Sequence, residues 1–375
     1  METLGTILAF LGVLVLLVLV HELGHFLAAK RAGITVQEFG VGFPPRIASV
    51  IWRGTRYSIN WIPLGGFVKM LGEDGESEAQ KMREQGLSEA AVDRAMEGAF
   101  NRKPIWTRVA VLLAGVVMNF LLAASLFAIA LSLPIQQGRG PLTITELQPG
   151  SPAVTAGMLV GDQIAAADDR TFPVSSDLTA YVRSQAGQAV RLKVLRDGVE
   201  MEITVVPRVL TPEQEGQGLG AVGFSYTPAR FAEIPSAING PLAAIGQGLA
   251  AAKDLAVQIP GGLATAVGGL LGLNASGSSA VGPIGIAAET GRVLRAPLVS
   301  QLIFVGILSV NLAVLNVLPF PPLDGGRIAV VAVEAIRRRR LPAEREALVY
   351  LTGFMVLIAL VVLISIRDIS RLIGG

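Results

Sequence analysis

The chain has 375 residues, of which 51% are hydrophobic and only 16% are charged. Soluble globular proteins carry about 25% charged residues, so this composition argues against an ordinary soluble enzyme and indicates an integral membrane protein. The net charge of +2 gives no support for nucleic-acid binding, and the absence of cysteine excludes disulfides and thiolate metal sites, so nitrogen and oxygen ligands must hold any metal.

Four uncharged segments are long enough to cross the hydrocarbon core of a membrane, which takes about 20 helical residues. They are Thr3–Val20, which runs on into the stretch HELGH, then Val109–Leu133, Pro297–Val317 and Ala347–Ile366. The first segment lacks the basic region and the cleavage site of a signal peptide, so we expect a retained helix. The sequence therefore predicts a polytopic α-helical membrane protein with about four transmembrane helices.

Lysine and arginine are concentrated in the loop between the first two spans and in the run Arg337–Arg340. The positive-inside rule places both on the cytoplasmic side, which puts the two termini and residues 134–296 outside. The apolar segment Leu255–Leu273 is a fifth candidate span. Counting it would move the arginine run to the outer side, so we expect an interfacial or re-entrant segment instead.

Between the second and third spans the sequence changes to the pattern of a small α+β domain. Turn signals such as Asp197-Gly198 separate short β-branched runs, including RLKVLRD and EMEITVVP. A helix is expected at Ser175–Ser184. We therefore predict an inserted extracytoplasmic α+β domain at residues 138–208.

His21 and His25 are the only histidines in the chain, and both lie in HELGH at the end of the first span. Positions i and i+4 share one face of a helix, so both imidazoles can bind one metal ion. With Glu22 as general base for a metal-bound water, this is the zincin pattern. Such five-residue patterns also occur by chance, but the depletion of histidine elsewhere and the membrane setting favour a functional site.

A catalytic zinc takes three protein ligands and keeps one position open. With no other histidine and no cysteine, the third ligand must be an aspartate or a glutamate. Glu38 and Glu73 lie in loop-like sequence, whereas Asp324, in NVLPFPPLDGGRI, follows three prolines that must unwind the third span. Helices one and three run in the same direction, so HELGH and Asp324 reach the same half of the membrane. The alternative is that Asp324 only caps the next helix.

HELGH on the first span, NVLPFPPLDGG on the third and an inserted domain together resemble the site-2 protease family of intramembrane zinc metalloproteases, of the type that regulates sigma factors in bacteria. The resemblance covers nearly the whole chain. It implies that His21, His25 and Asp324 hold Zn²⁺, that Glu22 is the general base and that Asn316 helps to position substrate.

The resemblance also implies where the protein works and on what. We expect a bacterial cytoplasmic membrane, an active site toward the cytoplasm and cleavage of single-span membrane proteins. An anti-sigma factor is the family expectation, and remnant signal peptides are a second class. The lipid bilayer is the expected environment, and no nucleic-acid partner is expected.

The inserted domain at residues 138–208 resembles a PDZ domain, which implies binding of a peptide C-terminus. PDZ grooves add an extended peptide as a strand and hold its terminal carboxylate in a backbone nest. We expect the glycines around Gly138–Leu142 to form this nest. Relatives of the family often carry two such domains in tandem, whereas this sequence shows one.

The stretch YSINWIPLGGFVKM, residues 57–70, resembles the family's membrane-associated β-hairpin, with an ordinary cytoplasmic hairpin as the alternative. Unwinding a substrate helix in lipid leaves backbone groups unpaired, and a strand edge can pair them. Pro63 cannot donate to such a ladder. We therefore expect Gly66, Phe67 and Val68 to position substrate, together with Asn316.

Two further stretches resemble the family, but neither predicts a defined catalytic role. AGVVMNF, residues 114–120, corresponds to a family segment in which a proline stands where this chain has Val116. The resemblance therefore implies a role at the site only for Asn119, and the alternative is that its amide serves helix packing. GPIGI, residues 282–286, resembles a family motif that precedes the third span, and its role does not follow from the sequence.

The expected organisation is a first transmembrane helix with the zinc motif, a cytoplasmic-side loop with the hairpin, a second transmembrane helix, the PDZ-like domain, a glycine-rich extracytoplasmic segment, a third transmembrane helix with the aspartate motif, an arginine-rich loop and a fourth transmembrane helix. In the same order, these eight segments occupy residues 1–30, 31–104, 105–134, 138–208, 209–296, 297–326, 327–346 and 347–368.

Two other classes of function agree with parts of the sequence. A membrane-anchored PDZ scaffold with a vestigial metal site would not need Glu22, which is present. A metal transporter usually spreads polar ligands over several helices and often shows repeated halves, and neither is visible. The sequence therefore favours an intramembrane zinc metalloprotease.

Overall fold

The structure is a computed structural model, and it describes residues 2–73, 77–172, 174–210, 220–236, 238, 240–270, 282–339 and 342–374. The chain divides into two compact units. The first is made of Met1–Leu131, Ile238–Ala264 and Ala280–Gly375, and the second of Ser132–Ala237 and Thr265–Ser279.

Most of the described residues belong to helices or strands. The helices are α1 (Glu2–Arg31), α2 (Ser77–Glu84), α3 (Glu89–Ala95), α4 (Ile105–Ser132), α5 (Pro152–Thr155), α6 (Ser175–Ser184), α7 (Pro241–Leu270), α8 (Pro283–Val293), α9 (Leu298–Val317), α10 (Asp324–Arg337) and α11 (Ala343–Gly374). The strands are β1 (Val36–Trp52), β2 (Thr55–Met70), β3 (Ile135–Leu147), β4 (Gln163–Ala167), β5 (Arg170–Thr171), β6 (Val190–Arg196), β7 (Val199–Val205) and β8 (Phe224–Ile234).

Within the described residues, four helices are long and apolar enough to cross a membrane. These candidate spans are Leu4–Arg31 in α1, Ile105–Ser132 in α4, Leu298–Val317, which is α9, and Glu344–Ser370 in α11. The prediction of a polytopic helical membrane protein with four spans is confirmed at the level of helix length and composition.

The segment 255–273, which we expected to be interfacial or re-entrant, is helical as far as Leu270, and its location relative to the membrane stays a prediction. Within the described residues it forms part of α7, a continuous helix of 30 residues that contains Pro260, whereas residues 271–273 lie outside the described part. The helix begins well before this segment because the preceding PLAAIGQGLAAA is rich in alanine, the strongest helix former. Ala252 packs α7 into a buried cluster with α4 and α9.

Glycines allow α1 and α4 to cross closely. A β-carbon at Gly24, inside HELGH, would lie 2.3 Å from the backbone oxygen of Ala114 on α4, which is well inside van der Waals contact. Small residues let helix backbones approach in this way inside membranes, where packing rather than the hydrophobic effect drives association. At this crossing the backbone of α4 therefore contacts the HELGH turn of α1.

The β-sheet of the first unit is larger than the hairpin expected at residues 57–70. The long strands β1 and β2 pair antiparallel, and residues 38–41 of β1 have partners both at 56–59 and at 66–69 of β2. A strand residue has one neighbour on each side, so β1 runs here between the two halves of β2. The half of β2 that contains Gly66–Met70 therefore lies at an edge.

The GPIGI stretch forms the beginning of α8. Gly282 is the N-cap residue and Pro283 is the first helical residue. The buried carboxylate of Asp368, on α11, accepts hydrogen bonds from the backbone N–H groups of Gly282 (3.2 Å) and Gly285 (2.8 Å). A carboxylate satisfies donors that a helix start leaves unpaired and is stabilised there by the helix dipole. The stretch is thus a helix start capped by α11.

The second unit contains a sheet with the strand order β7-β6-β4-β3-β8, to which β5 adds beside β4. Its core contains buried residues of several strands and of α6, among them Leu142, Ile164, Leu178 and Leu192. The helix predicted at Ser175–Ser184 occupies those residues. The predicted turn at residues 197–198 joins β6 to β7, and both of its residues have positive φ, as tight hairpin turns require.

This sheet extends beyond the predicted range 138–208. β3 begins at Ile135 and pairs along its length with β8, which lies in the segment 209–296 that we expected to be glycine-rich and interfacial. The prediction missed β8 because Pro228 interrupts its alternating pattern, and proline normally argues against a strand. Proline is tolerated here because β8 is an edge strand.

A buried ion pair holds the turn before β4. Asp162 accepts hydrogen bonds from Nε and Nη2 of Arg196, both at 2.7 Å, and from the backbone N–H of Leu159 at 2.8 Å. The Arg196 guanidinium lowers the pKa of Asp162 below its usual range. Because the carboxylate of Asp162 is buried, removing the Arg196 guanidinium would leave a buried negative charge without compensation.

Candidate metal centre

His21 and His25 lie one turn apart on α1 and face the same side. Both are buried, with exposed fractions of 6% and 5%. Their Nε2 atoms are 3.1 Å apart, and the two rings meet nearly edge to face. The i, i+4 spacing of HELGH thus brings both imidazoles to one point.

Asp324 reaches the same point from a different helix. α9 ends at Val317, and α10 begins at Asp324 after the proline-rich segment LPFPPL. The chain turns tightly here, since a β-carbon at Gly325 would lie 2.1 Å from the backbone oxygen of Val317. Asp324 Oδ2 is 2.9 Å from His21 Nε2 and 3.2 Å from His25 Nε2.

The third membrane helix ends at Val317, as the predicted span Pro297–Val317 does, because the prolines that follow end it. One expected range changes beyond this point. The expected arginine-rich loop at 327–346 is helical over much of its length, because α10 runs to Arg337. Val331 of α10 joins a buried cluster with residues of α1 and α4, and this apolar packing stabilises the helix.

The three atoms are spaced as the ligands of one zinc ion. All lie within 4.8 Å of one another, at pairwise distances of 2.9, 3.1 and 3.2 Å. In a tetrahedral site with bonds of about 2.0–2.2 Å, ligand atoms are about 3.3–3.6 Å apart. The triangle is only slightly tighter than this, and imidazole nitrogen and carboxylate oxygen are ligands that catalytic zinc sites use. The residues therefore fit zinc.

A hydrogen bond sets the tautomer of His25. Its Nδ1 lies 2.8 Å from the backbone oxygen of Val111 on α4. A carbonyl oxygen only accepts, so Nδ1 must donate its proton, and Nε2 keeps a free lone pair on the side of Asp324. Histidines that bind metals usually have such a partner on the second ring nitrogen.

Gly115 of α4 leaves space for the two rings. A β-carbon there would lie 2.5 Å from His25 Nε2 and 2.8 Å from His21 Cε1. The sequence analysis missed this residue. Its signal was a glycine within an apolar span, four positions before Asn119, because such glycines mark a close approach of the backbone.

A cavity of about 350 Å³ opens at the three ligand atoms. Glu22 lines it, and a β-carbon at Gly66 would lie 3.9 Å from Glu22 Cγ, so the edge of the sheet runs beside Glu22. The side chain of Asn119 lies next to the His21 ring, with its Nδ2 atom 3.4 Å from His21 Nδ1. The other residues expected at the site that line the cavity are His21, His25, Phe67, Val68, Asn316 and Asp324.

An ion pair at this cavity was not predicted. Arg327, one turn after Asp324 on α10, donates Nη1 to Glu73 Oε1, and both side chains line the cavity. Glu73 Oε2 also accepts from the backbone N–H of Met70 at 3.1 Å. Glu73, a weak candidate for the third ligand, thus connects α10 to the end of β2. No local signal reveals a contact between residues 254 positions apart.

Comparison with known proteins gives consistent matches over the length of the chain. The family model described as Peptidase family M50 matches residues 9–360. The zinc metalloprotease RasP of Geobacillus kaustophilus is 30% identical over 432 residues, covering 99% of both chains. A protein of Agrobacterium fabrum, provisionally named a zinc metalloprotease, is 32% identical over 99% of this chain and 97% of its own length. The metalloprotease MmpA of Caulobacter vibrioides is 29% identical over 97% and 95%.

Among solved structures, the solution structure of GtR34C from Geobacillus thermodenitrificans is 35% identical to this chain. It covers 20% of this chain and 83% of its own, with a TM-score of 0.17.

The family match, the relatives and the ligand cluster agree with one another. The relatives carry names as metalloproteases and match over nearly their whole length, and the described residues contain a His-His-Asp group with the spacing of a metal site. The apolar helices fit a membrane protein. The chain belongs to peptidase family M50, the site-2 protease family, and is a zinc metalloendopeptidase.

Proposed function

We propose that this enzyme hydrolyses a peptide bond in or near the transmembrane segment of a single-span membrane protein, such as an anti-sigma factor or a remnant signal peptide. The observation that carries the proposal is the meeting of His21 and His25, within the apolar helix α1, with Asp324 at the start of α10, and with Glu22 in the adjoining cavity. Ionisable groups in such a setting are costly unless they serve a function.

The roles of the residues follow from their chemistry. His21, His25 and Asp324 hold the zinc ion, which when bound polarises the scissile carbonyl and lowers the pKa of a coordinated water to about 7. Glu22 takes a proton from the water that attacks the carbonyl carbon and gives it to the leaving amine nitrogen as the C–N bond breaks. The half-buried position of Glu22 in the cavity lets its carboxylate reach both groups.

We further propose that the edge of β2 at Gly66, Phe67 and Val68 receives the unwound substrate. A peptide inside a membrane loses several kcal/mol for each unpaired backbone group, so cleavage needs replacement hydrogen bonds. The edge strand lies beside Glu22 and supplies such groups by strand addition. Asn316, which also lines the cavity, is placed to bond one displaced backbone group.

Exposed apolar residues on the same sheet support an association with lipid. Trp52, Ile51, Ile59 and Trp61 are all more than half exposed. Exposed apolar patches of this kind mark membrane or protein contacts, and tryptophan is enriched at the membrane interface. The sheet thus carries both exposed apolar side chains and the edge strand beside Glu22.

The positive-inside rule supports a bacterial cytoplasmic membrane with the metal site toward the cytoplasm. Lys30, Arg31, Arg102 and Lys103 cluster in sequence beside the ends of α1 and α4. In this topology the second unit lies outside the cell.

The second unit supports a PDZ-like role in selecting substrates. A groove of about 180 Å³ lies between α6 and residues 220–226, and its lining includes Leu178, Thr179 and Phe224. We propose that a peptide C-terminus adds to the edge strand β8 and that the backbone at Gly220–Phe224 receives its carboxylate. We place this nest at Gly220–Phe224 instead of Gly138–Leu142, because the latter residues belong to β3 and do not line the groove.

A scaffold with a vestigial metal site is not favoured. Its groove would serve as well without Glu22, and its relatives would not be expected to carry names as metalloproteases. A metal transporter needs ligands along a path, whereas the ligands described here meet at one point.

The first prediction concerns zinc and the base. Purified wild-type protein should contain about one zinc per chain, and Glu22→Gln should keep it while losing at least about 100-fold in cleavage rate, because the base is removed and the ligands remain. Asp324→Ala should lose both. Elemental analysis and cleavage of a single-span substrate in detergent measure these outcomes.

Full zinc and activity in Asp324→Ala would move the third ligand elsewhere. Normal cleavage by Glu22→Gln would remove Glu22 from the chemistry. In cells, membrane proteomics of the Glu22→Gln strain should reveal accumulated single-span fragments, which identify the substrates.

The second prediction concerns topology. Because the chain has no cysteine, a single introduced cysteine reports its own location. Ser184→Cys, exposed on α6, should react with an impermeant maleimide in intact cells. Ser88→Cys, exposed before α3, should react only after lysis. The reverse labelling pattern would contradict the assigned orientation.

The third prediction concerns the edge strand. Val68→Pro removes a backbone donor, so cleavage of a stable helical substrate should slow at least about 10-fold, while a substrate weakened by glycine near its cut site should lose less. Val50→Pro, at the exposed end of β1, is the matched control and should leave the ratio of the two rates unchanged. Equal losses for both substrates in Val68→Pro would leave the strand without an unwinding role.

The fourth prediction concerns the groove. Thr179→Trp fills it, so the full chain should lose affinity for peptides with a free C-terminal carboxylate, measured by fluorescence anisotropy with a peptide array. Ala180→Trp, exposed on a different side of α6, is the control and should bind normally. Cleavage of a short substrate should be unchanged in both. Equal binding of C-terminally amidated peptides by the wild type would argue against a carboxylate nest.

A further inference from the structure

Asn119 of α4 is fully buried against the metal centre. Its side-chain nitrogen, as placed, lies 3.4 Å from Nδ1 of His21. Its side-chain oxygen is buried and has no hydrogen-bond partner among the residues that the structure describes. A buried polar group of this kind is uncommon and calls for a physical reason.

The chemistry of His21 defines which end of the amide must face it. His21 Nε2 points at Asp324 and His25, so a metal ion takes the lone pair of this nitrogen. A neutral imidazole then carries its proton on Nδ1, which must donate. An amide nitrogen has no lone pair to accept that proton, whereas an amide oxygen does. A half-turn of the amide exchanges the two ends with almost no change in shape.

We propose that Asn119 is a positioning residue for the metal centre: its Oδ1 accepts a hydrogen bond from Nδ1–H of His21 and holds that ring in the tautomer and orientation that zinc requires. The proposal rests on the ligand set of the proposed function. It gives His21 the counterpart of the bond that Val111 makes to His25. Both acceptors belong to α4, so one helix orients both imidazoles.

The backbone of Asn119 is itself held in place. The buried hydroxyl of Ser309, on α9, donates to the backbone oxygen of Asn119 at 2.7 Å. This bond fixes α4 beside α9 and involves no side-chain atom of Asn119. Ser309→Ala is therefore a matched control, because it loosens the same contact between helices and leaves the amide beside His21 intact.

The test measures zinc affinity of the purified full chain in detergent, by titration against a chromophoric chelator. Asn119→Leu keeps the size of the side chain and removes the acceptor, so the affinity should fall about 10- to 100-fold. Asn119→Asp restores an acceptor and should bind within about threefold of the wild type. Ser309→Ala should also stay close to the wild type. The visible spectrum of the cobalt-loaded protein should change in Asn119→Leu and be restored in Asn119→Asp.

Wild-type affinity in Asn119→Leu would overturn the proposal. So would an Asn119→Asp protein as weak as Asn119→Leu, because the acceptor would then not be the cause. Equal losses in Ser309→Ala and Asn119→Leu would assign the effect to helix packing and also overturn it. His21→Ala separates this proposal from the ligand assignment: unchanged affinity in that variant would overturn the ligand set itself.

Discussion

Two imidazole nitrogens and one carboxylate oxygen lie within 3.2 Å of one another in the first unit. The packing of its helices depends on this close approach. Unprotonated nitrogens at such a distance repel each other, and burying them costs free energy unless they share a cation. α1 provides the histidines, α4 approaches through Gly115 and orients a ring through Val111, and the break between α9 and α10 delivers Asp324. A metal ion bound by these three atoms would offset the cost of bringing them together.

Much of this centre was predictable from the sequence because its signals are local. The spacing of His21 and His25 depends only on helix geometry. Counting required a carboxylate as the third ligand, since the chain has two histidines and no cysteine. Asp324 was then selected by its place after three prolines at the end of a span that runs in the same direction as the first. The four membrane helices followed from length and apolarity, which the bilayer requires of any helix that crosses it.

Features that depend on distant partners were not predictable in this way. The cap on GPIGI comes from Asp368, 86 positions away, and the partner of Arg327 is Glu73 on a different element. β8 was missed because Pro228 breaks its pattern, and its role as an edge strand appears only when β3 pairs with it. The role of Gly115 depends on the ring positions of two residues on another helix. Local propensity carries no information about such contacts.

The coordination of the zinc itself tests the central claim most directly. The chain has two histidines and no cysteine, so X-ray absorption on protein purified without a histidine tag has a simple interpretation. The account predicts two imidazole nitrogens and further oxygen ligands around each zinc, at about 2.0–2.2 Å. Two imidazoles on one zinc assign the ion to His21 and His25 by count alone. A spectrum with one imidazole or none would contradict the account.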